Sequence, residues 1–119
     1  MLNVLVVEDH ALVREGLLAT LGGLGSETRT IGVPDANEAI GVLENEDIDM
    51  MILDLMLPGT KGQTFLPLVR RRFPTVPVVI LSALDDADTV SKVMKAGASG
   101  FVSKAGSSTE LLDALRAVL

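Results

Sequence analysis

Residues 50–57 read MMILDLML: Met50, Met51, Ile52 and Leu53, then Asp54, then Leu55, Met56 and Leu57. A short, nearly continuous apolar run suits a strand covered on both faces, as in a parallel sheet, better than a strand with one wet face. A carboxylate set between two such runs is at least partly buried. That placement is costly unless the charge is paired or coordinated. Asp54 is therefore the first candidate for chemistry.

Working outward, residues 4–7 (VLVV) and 76–81 (VPVVIL) repeat the pattern, and residues 28–32 and 100–103 fit two weaker strands. Stretches with helical spacing lie between and after them: Val13, Leu17 and Leu21; Ala36, Ala39, Ile40 and Leu43; Phe65, Val69 and Phe73; Val90, Val93 and Met94; Leu111, Leu115 and Val118. Asp35 with Glu38, and Ser107 with Glu110, have capping-box spacing at helix starts. Gly97 suits a helix C-terminus. Pro67 is awkward for the third helix and is tolerated if it falls in the first turn, where no intrahelical donor is lost. Five alternating strand–helix units with short connections predict one α/β domain, a parallel sheet, and right-handed crossovers that put helices on both faces.

The 119 residues, 48% of them hydrophobic, suffice for one core without staples. The chain has no cysteine, which excludes disulfides, thiolate ligands and a thiol nucleophile and fits a cytoplasmic protein. No apolar run reaches membrane-spanning length, and no signal peptide is evident. A net charge of −6 argues against gripping a nucleic-acid backbone. The basic run Arg70, Arg71 and Arg72 reads as the solvated C-terminal turn of a helix. No GxxxxGK[ST] motif occurs, and Gly22, Gly23 and Gly25 follow a helix instead of opening one.

Ligands of open parallel sheets bind beyond the carboxyl ends of the strands. Glu8 and Asp9 follow the first strand, Asp54 ends the third, Ser82 follows the fourth and Lys104 the fifth. Singly, an acid pair is explained as a helix cap and a lysine as a solvated charge. If the first and third strands are neighbours, three carboxylates converge, and their repulsion calls for a proton or a cation. An all-oxygen set favours a hard ion such as Mg²⁺. Lys104 adds a point charge and Ser82 a hydroxyl, with Asp54 as nucleophile for a phosphoryl group. His10, the single histidine, is next to the acids and within reach of the metal site, but a histidine at a helix start is more often a capping or surface residue.

The segments VLVVEDH, ILDLMLPG, VVILSA and GASGFVSK resemble receiver domains of bacterial response regulators over the whole chain, and VVEDHALVREGL with the last 23 residues resembles the NarL/FixJ (LuxR-type output) subgroup. The resemblance implies a flavodoxin-like, doubly wound (βα)5 domain spanning residues 1–119, with strand order 2-1-3-4-5. It implies phosphorylation of Asp54 by a sensor histidine kinase, without enzymatic turnover beyond slow self-hydrolysis. It also implies a Mg²⁺ site from Asp9, Glu8, Asp54 and the main-chain carbonyl of Met56, with Lys104 beside it. Ser82 and Phe101 take the switch positions that remodel the surface of the fourth helix, fifth strand and fifth helix.

Two departures stand out. Ala105 follows Lys104 where many receivers have proline, so a cis bond there is not expected. Phe101 lacks the hydroxyl of a tyrosine. Two rivals remain. A haloacid-dehalogenase-like phosphatase needs a second aspartate where Met56 stands, and a pseudo-receiver would bind partners without phosphorylation. Subgroup members usually carry a C-terminal helix-turn-helix domain. The sequence reaches Leu119 still in helical register, so an output domain is expected beyond it, and DNA is reached only through that domain. The wide apolar stripe of Leu111, Leu112, Leu115, Val118 and Leu119 suggests a homodimer or interdomain contact.

Overall fold

The computed structural model describes residues 1–57 and 62–119. The apolar runs become strands, β1 (Leu2–Val7), β2 (Thr28–Val33), β3 (Met50–Asp54), β4 (Val78–Ser82) and β5 (Gly100–Ser103). The helices are α1 (Ala11–Leu21), α2 (Ala36–Asn45), α3 (Gly62–Arg72), α4 (Ala87–Lys95) and α5 (Ser108–Val118). All five strands pair in parallel, in the order β2-β1-β3-β4-β5. This is the flavodoxin-like arrangement, in which strand order reverses beside β1.

Every residue of β3 and β4 is buried, which explains why neither run alternates. One face of the sheet packs Leu5, Val7, Met51, Leu53 and Ile80 against α2, α3 and α4, with Ala39, Phe65, Leu66, Val69 and Val93 filling that side. The other packs Val4, Val6, Met50, Ile52 and Leu81 against Leu21 of α1 and Leu111 and Leu115 of α5. The alternating residues of one strand thus serve opposite layers.

Helix starts follow the capping reading. The Asp35 side chain accepts from the Glu38 N–H at 2.9 Å, and Ser107 Oγ accepts from the Glu110 N–H at 3.1 Å. Asp86 caps α4 in the same way, accepting from the Thr89 N–H at 3.1 Å. Gly97 follows α4 with φ +112°, and a Cβ there would stand 2.8 Å from Arg70 Cγ. Gly97→Ala is expected to cost about 1–3 kcal/mol, through backbone strain and displacement of Arg70, read as a lowered midpoint in urea unfolding.

Three expectations need correction. Pro67 lies inside α3, beyond the first turn, so one intrahelical hydrogen bond is forgone there; burial of Phe65, Leu66 and Val69 offsets the loss. β4 begins at Val78, not Val76, because Pro77 has no N–H for the ladder, although its carbonyl still accepts from the Met51 N–H. Val13 is exposed at the edge of a cleft of about 240 Å³ between α1 and α5, not packed in the core. On α5, Leu111 and Leu115 are buried and Leu112 lies against Gly23, while Leu119 is exposed; Arg116 Nη2 donates to the Gly23 carbonyl at 2.9 Å.

Arg70, Arg71 and Arg72 occupy the last turn of α3, as expected, but Arg70 does more than face solvent. Its guanidinium donates to the carbonyls of Val76 at 2.6 Å and Pro74 at 3.2 Å, closing the connection into β4. No described helix is long and apolar enough to cross a membrane.

Candidate functional site

The register of the sheet assembles the site. Val7 pairs with Leu53, so Glu8 and Asp54, each the next residue, emerge side by side at the carboxyl edge. Ser82 pairs with Ser103, and the Lys104 N–H donates to the Ser82 carbonyl at 2.9 Å, which brings Lys104 to the same edge. Glu8 and Ser82 are wholly buried and Asp54 nearly so. Glu8 is fixed at the backbone as well, since its carbonyl accepts from Arg14 Nη1 at 2.8 Å.

Lys104 spans the two buried acids. Its Nζ stands 3.1 Å from Glu8 Oε2 and 3.3 Å from Asp54 Oδ2. These are ion pairs by distance without the angles of directed hydrogen bonds, and neither carboxylate oxygen has a hydrogen-bond donor among the described residues. The other Asp54 oxygen, Oδ1, accepts from the Met56 N–H at 3.1 Å. Burial pushes the Glu8 carboxyl above its ordinary range; the Lys104 ammonium opposes the rise, and the Asp54 carboxylate adds to it. Burial also works against the charge on Lys104, but the Glu8 and Asp54 carboxylates outweigh it and hold the lysine above its usual value.

Asp9 Oδ1 is a third buried acceptor without a donor among the described residues. Among the described residues one ammonium faces the two buried carboxylates of Glu8 and Asp54, and Asp9 lies beside them in sequence without a contact to it, so negative charge at this edge exceeds positive. Carboxylate oxygens of this kind suit a hard divalent ion, but Asp54 does not belong to the ligand-spaced group formed by the described residues. Ligand atoms of Glu8, Asp9 and His10 also lie within 4.8 Å of one another.

His10 is a surface residue, as expected. It stands at the N-cap of α1, yet its side chain makes no cap bond there. Its Nδ1 lies 3.2 Å from Glu8 Oε1 and 3.5 Å from Asp9 Oδ1.

The remaining candidates are nearby but differently engaged. Ser82 Oγ accepts from the Leu84 N–H at 3.0 Å and so holds the start of the β4–α4 loop. Ser103 Oγ ties that loop to the β5–α5 loop, donating to Asp85 Oδ2 at 3.1 Å and accepting from the Ala105 N–H at 3.2 Å. Phe101 is half-buried against the α2–α4 core layer. The Met56 side chain is exposed. No peptide bond among the described residues is cis, so Lys104–Ala105 is trans. Pro58 and Gly59, part of the ILDLMLPG segment, lie outside the described residues.

Residues 4–116 match the profile of the response regulator receiver domain. The chain is 34% identical over 122 aligned residues to the glycerol metabolism activator of Pseudomonas putida, covering 100% of this chain and 54% of that protein. It is 30% identical over 119 to the response regulator UvrY of Escherichia coli, covering 99% and 54%. The chain therefore spans about half the length of these curated relatives. Among solved structures, the isolated receiver domain of RcsB from Salmonella enterica serovar Typhimurium, determined with the phosphomimetic BeF3−, superposes with a TM-score of 0.90 at 28% identity, over 98% of this chain and 87% of that one.

Proposed function

Because the chain belongs to the response regulator receiver domain family, we propose that it accepts a phosphoryl group on Asp54 from a phosphohistidine of a sensor kinase, with a divalent cation at the acid cluster. The observation that carries this reading is Asp54 Oδ2, buried, without a hydrogen-bond donor among the described residues, and 3.3 Å from an ammonium. The Met56 N–H holds Oδ1, which leaves Oδ2 as the attacking oxygen. The O–P bond forms as the P–N bond of the donor breaks, and the electron pair leaves on the imidazole nitrogen.

Lys104, already charged beside Oδ2, neutralises a phosphoryl oxygen as charge spreads in the transition state. Bound Mg²⁺, held by Asp9, Asp54 and the Met56 carbonyl, with Glu8 acting through water, would supply Lewis-acid charge stabilisation. Glu8 lies deepest and takes the indirect role, setting the field between the cation and Lys104. Met56, where a phosphatase would need a second acid, offers no base to activate water, so the phosphoryl group persists.

Output follows from the ties at the same edge. A phosphoryl group on Asp54 competes for the Ser82 hydroxyl that now holds the Leu84 N–H, and for Lys104, whose backbone is bonded to Ser82. Releasing Leu84 loosens the lacing between the loops before α4 and α5 and frees Phe101 to repack. That changes the α4–β5–α5 surface read by a C-terminal DNA-binding domain in the longer protein.

The test is intact-protein mass after incubation with acetyl phosphate, with and without Mg²⁺. A gain of one phosphoryl group that requires the metal supports the reading. No gain under several donors would leave an interaction module, and steady hydrolysis of unrelated phosphate esters would favour a phosphatase.

The raised Glu8 pKa also sets a sign for stability. Its folded-state contribution is present below the ordinary carboxylate range and lost as pH rises through the raised value, so the metal-free domain weakens toward neutrality. Mg²⁺ should reverse this, adding about 2.7 kcal/mol at roughly 100-fold excess over its Kd. Thermal melts with and without Mg²⁺ should diverge at neutral pH and converge as pH falls through the titration of Glu8.

A further inference from the structure

We propose that the hydrogen bond between Ser103 and Asp85 is an autoinhibitory latch, which holds the loop before α4 against the turn that carries Lys104 and opens when a phosphoryl group on Asp54 is engaged. The inference rests on the phosphoacceptor reading of Asp54 and adds to it a contact that opposes the switch.

Ser103 anchors the turn after β5. Its carbonyl accepts from the Gly106 N–H at 3.0 Å and its Oγ from the Ala105 N–H at 3.2 Å, so Lys104 sits in a turn closed twice on Ser103. The hydroxyl still has its proton to give, and it donates to Asp85 Oδ2 at 3.1 Å. Asp85 belongs to the connection 83–86 between β4 and α4. Among the described residues it is the one side chain of that connection bonded across to β5. The carboxylate of Asp86, its neighbour, turns the other way, onto the N–H and hydroxyl of Thr89.

The latch lies across the rung of the sheet that the switch would use. Ser82 is paired with Ser103, and the Ser82 carbonyl accepts from the Lys104 N–H. Ser82 Oγ holds the N–H of Leu84, the residue before Asp85. Drawing the Ser82 hydroxyl and Lys104 toward a phosphoryl group therefore pulls on two segments that Asp85 and Ser103 fasten together. A contact made only in the unphosphorylated arrangement lowers the apparent affinity for the phosphoryl group by the ratio in which it favours that arrangement. The bond is exposed to solvent, where water competes for both partners, so the bias is modest and phosphorylation can overcome it.

The test uses beryllofluoride, an analogue of the phosphoryl group that requires no kinase, titrated with Mg²⁺ in a calorimeter. The natural chain is compared with Asp85→Ala, Asp85→Asn, Ser103→Ala, Ser103→Thr and the double variant Asp85→Ala/Ser103→Ala. Asp85→Ala and Ser103→Ala should each bind beryllofluoride about 2- to 5-fold more tightly. The double variant should bind no more tightly than either, because both changes remove the same bond. Asp85→Asn drops the charge but keeps an acceptor, and Ser103→Thr keeps the hydroxyl, so both should stay near the natural chain. In the free protein, amide exchange followed by NMR should quicken at Leu84 and Ala105 in Asp85→Ala and not in Asp85→Asn. Unchanged or weaker binding by Asp85→Ala and Ser103→Ala would overturn the proposal. Equal tightening by Asp85→Asn and Asp85→Ala would also overturn it, by assigning the effect to charge. Failure of the receiver reading is distinct: no form of the chain would then take up beryllofluoride, and the latch would fall with it even if exchange at Leu84 showed the loop to be tied.

Discussion

Asp54→Asn is expected to abolish phosphoryl incorporation from acetyl phosphate while leaving a folded and, without metal, slightly more stable domain. The amide oxygen can still accept from the Met56 N–H that now bonds Oδ1. It has no charge with which to attack phosphorus. The substitution also removes one of the two buried carboxylates that share the Lys104 ammonium, so repulsion at the strand edge falls. The metal-free protein should gain on the order of 1 kcal/mol, because an isosteric neutral group replaces an incompletely paired buried charge. Mass spectrometry and a thermal melt read the two effects separately. Loss of phosphorylation together with a lower Tm would mean that Asp54 is chiefly structural.

Lys104→Ala should separate the same quantities in the opposite direction. Among the described residues its ammonium is the one charge within ion-pair distance of both buried acids, at 3.1 and 3.3 Å. Without it the rate of phosphoryl transfer should fall by about 10²- to 10³-fold, the usual cost of removing one preorganised charge or donor from a transition state. The metal-free fold should lose about 1–3 kcal/mol, since Glu8 and Asp54 are left as buried acceptors without their counter-ion. Excess Mg²⁺ should recover most of the stability and little of the rate, because a cation among the acids relieves repulsion without replacing the charge at the phosphoryl oxygen. Single-turnover phosphorylation and melts across a Mg²⁺ series would show it; full recovery of rate by metal would assign Lys104 to charge balance alone.

The sheet was legible because buried parallel strands write continuous apolar runs, and residues 50–57 carry both the run and its one expensive interruption. The site was legible for a related reason: chemistry collects at strand ends, and Glu8, Asp9, Asp54, Ser82 and Lys104 could be located from strand ends alone. Orientation was not. Whether Ser82 Oγ faces Asp54 or its own loop depends on the turn into Leu84, and the structure pairs it with the Leu84 N–H. His10 was read as a cap because position, and not ring direction, is what a sequence records. Pro67 was expected in a first turn because local propensity counts the lost hydrogen bond and does not see the burial of Phe65, Leu66 and Val69 that outweighs it. Val13 has the spacing of a core residue but stands over the α1–α5 cleft, a tertiary fact that periodicity cannot carry.

The tie between α5 and the Gly22–Leu24 turn has a consequence for folding order. Arg116 and Gly23 are 93 positions apart, and Leu21, Leu111 and Leu115 share one core layer. That layer closes only after a long loop has been brought together, so it is entropically late. The layer under α2, α3 and α4 is built mostly from elements adjacent in the chain. The two faces of one sheet thus differ in contact order: one condenses from sequence neighbours, and the other must wait for the first helix to meet the fifth.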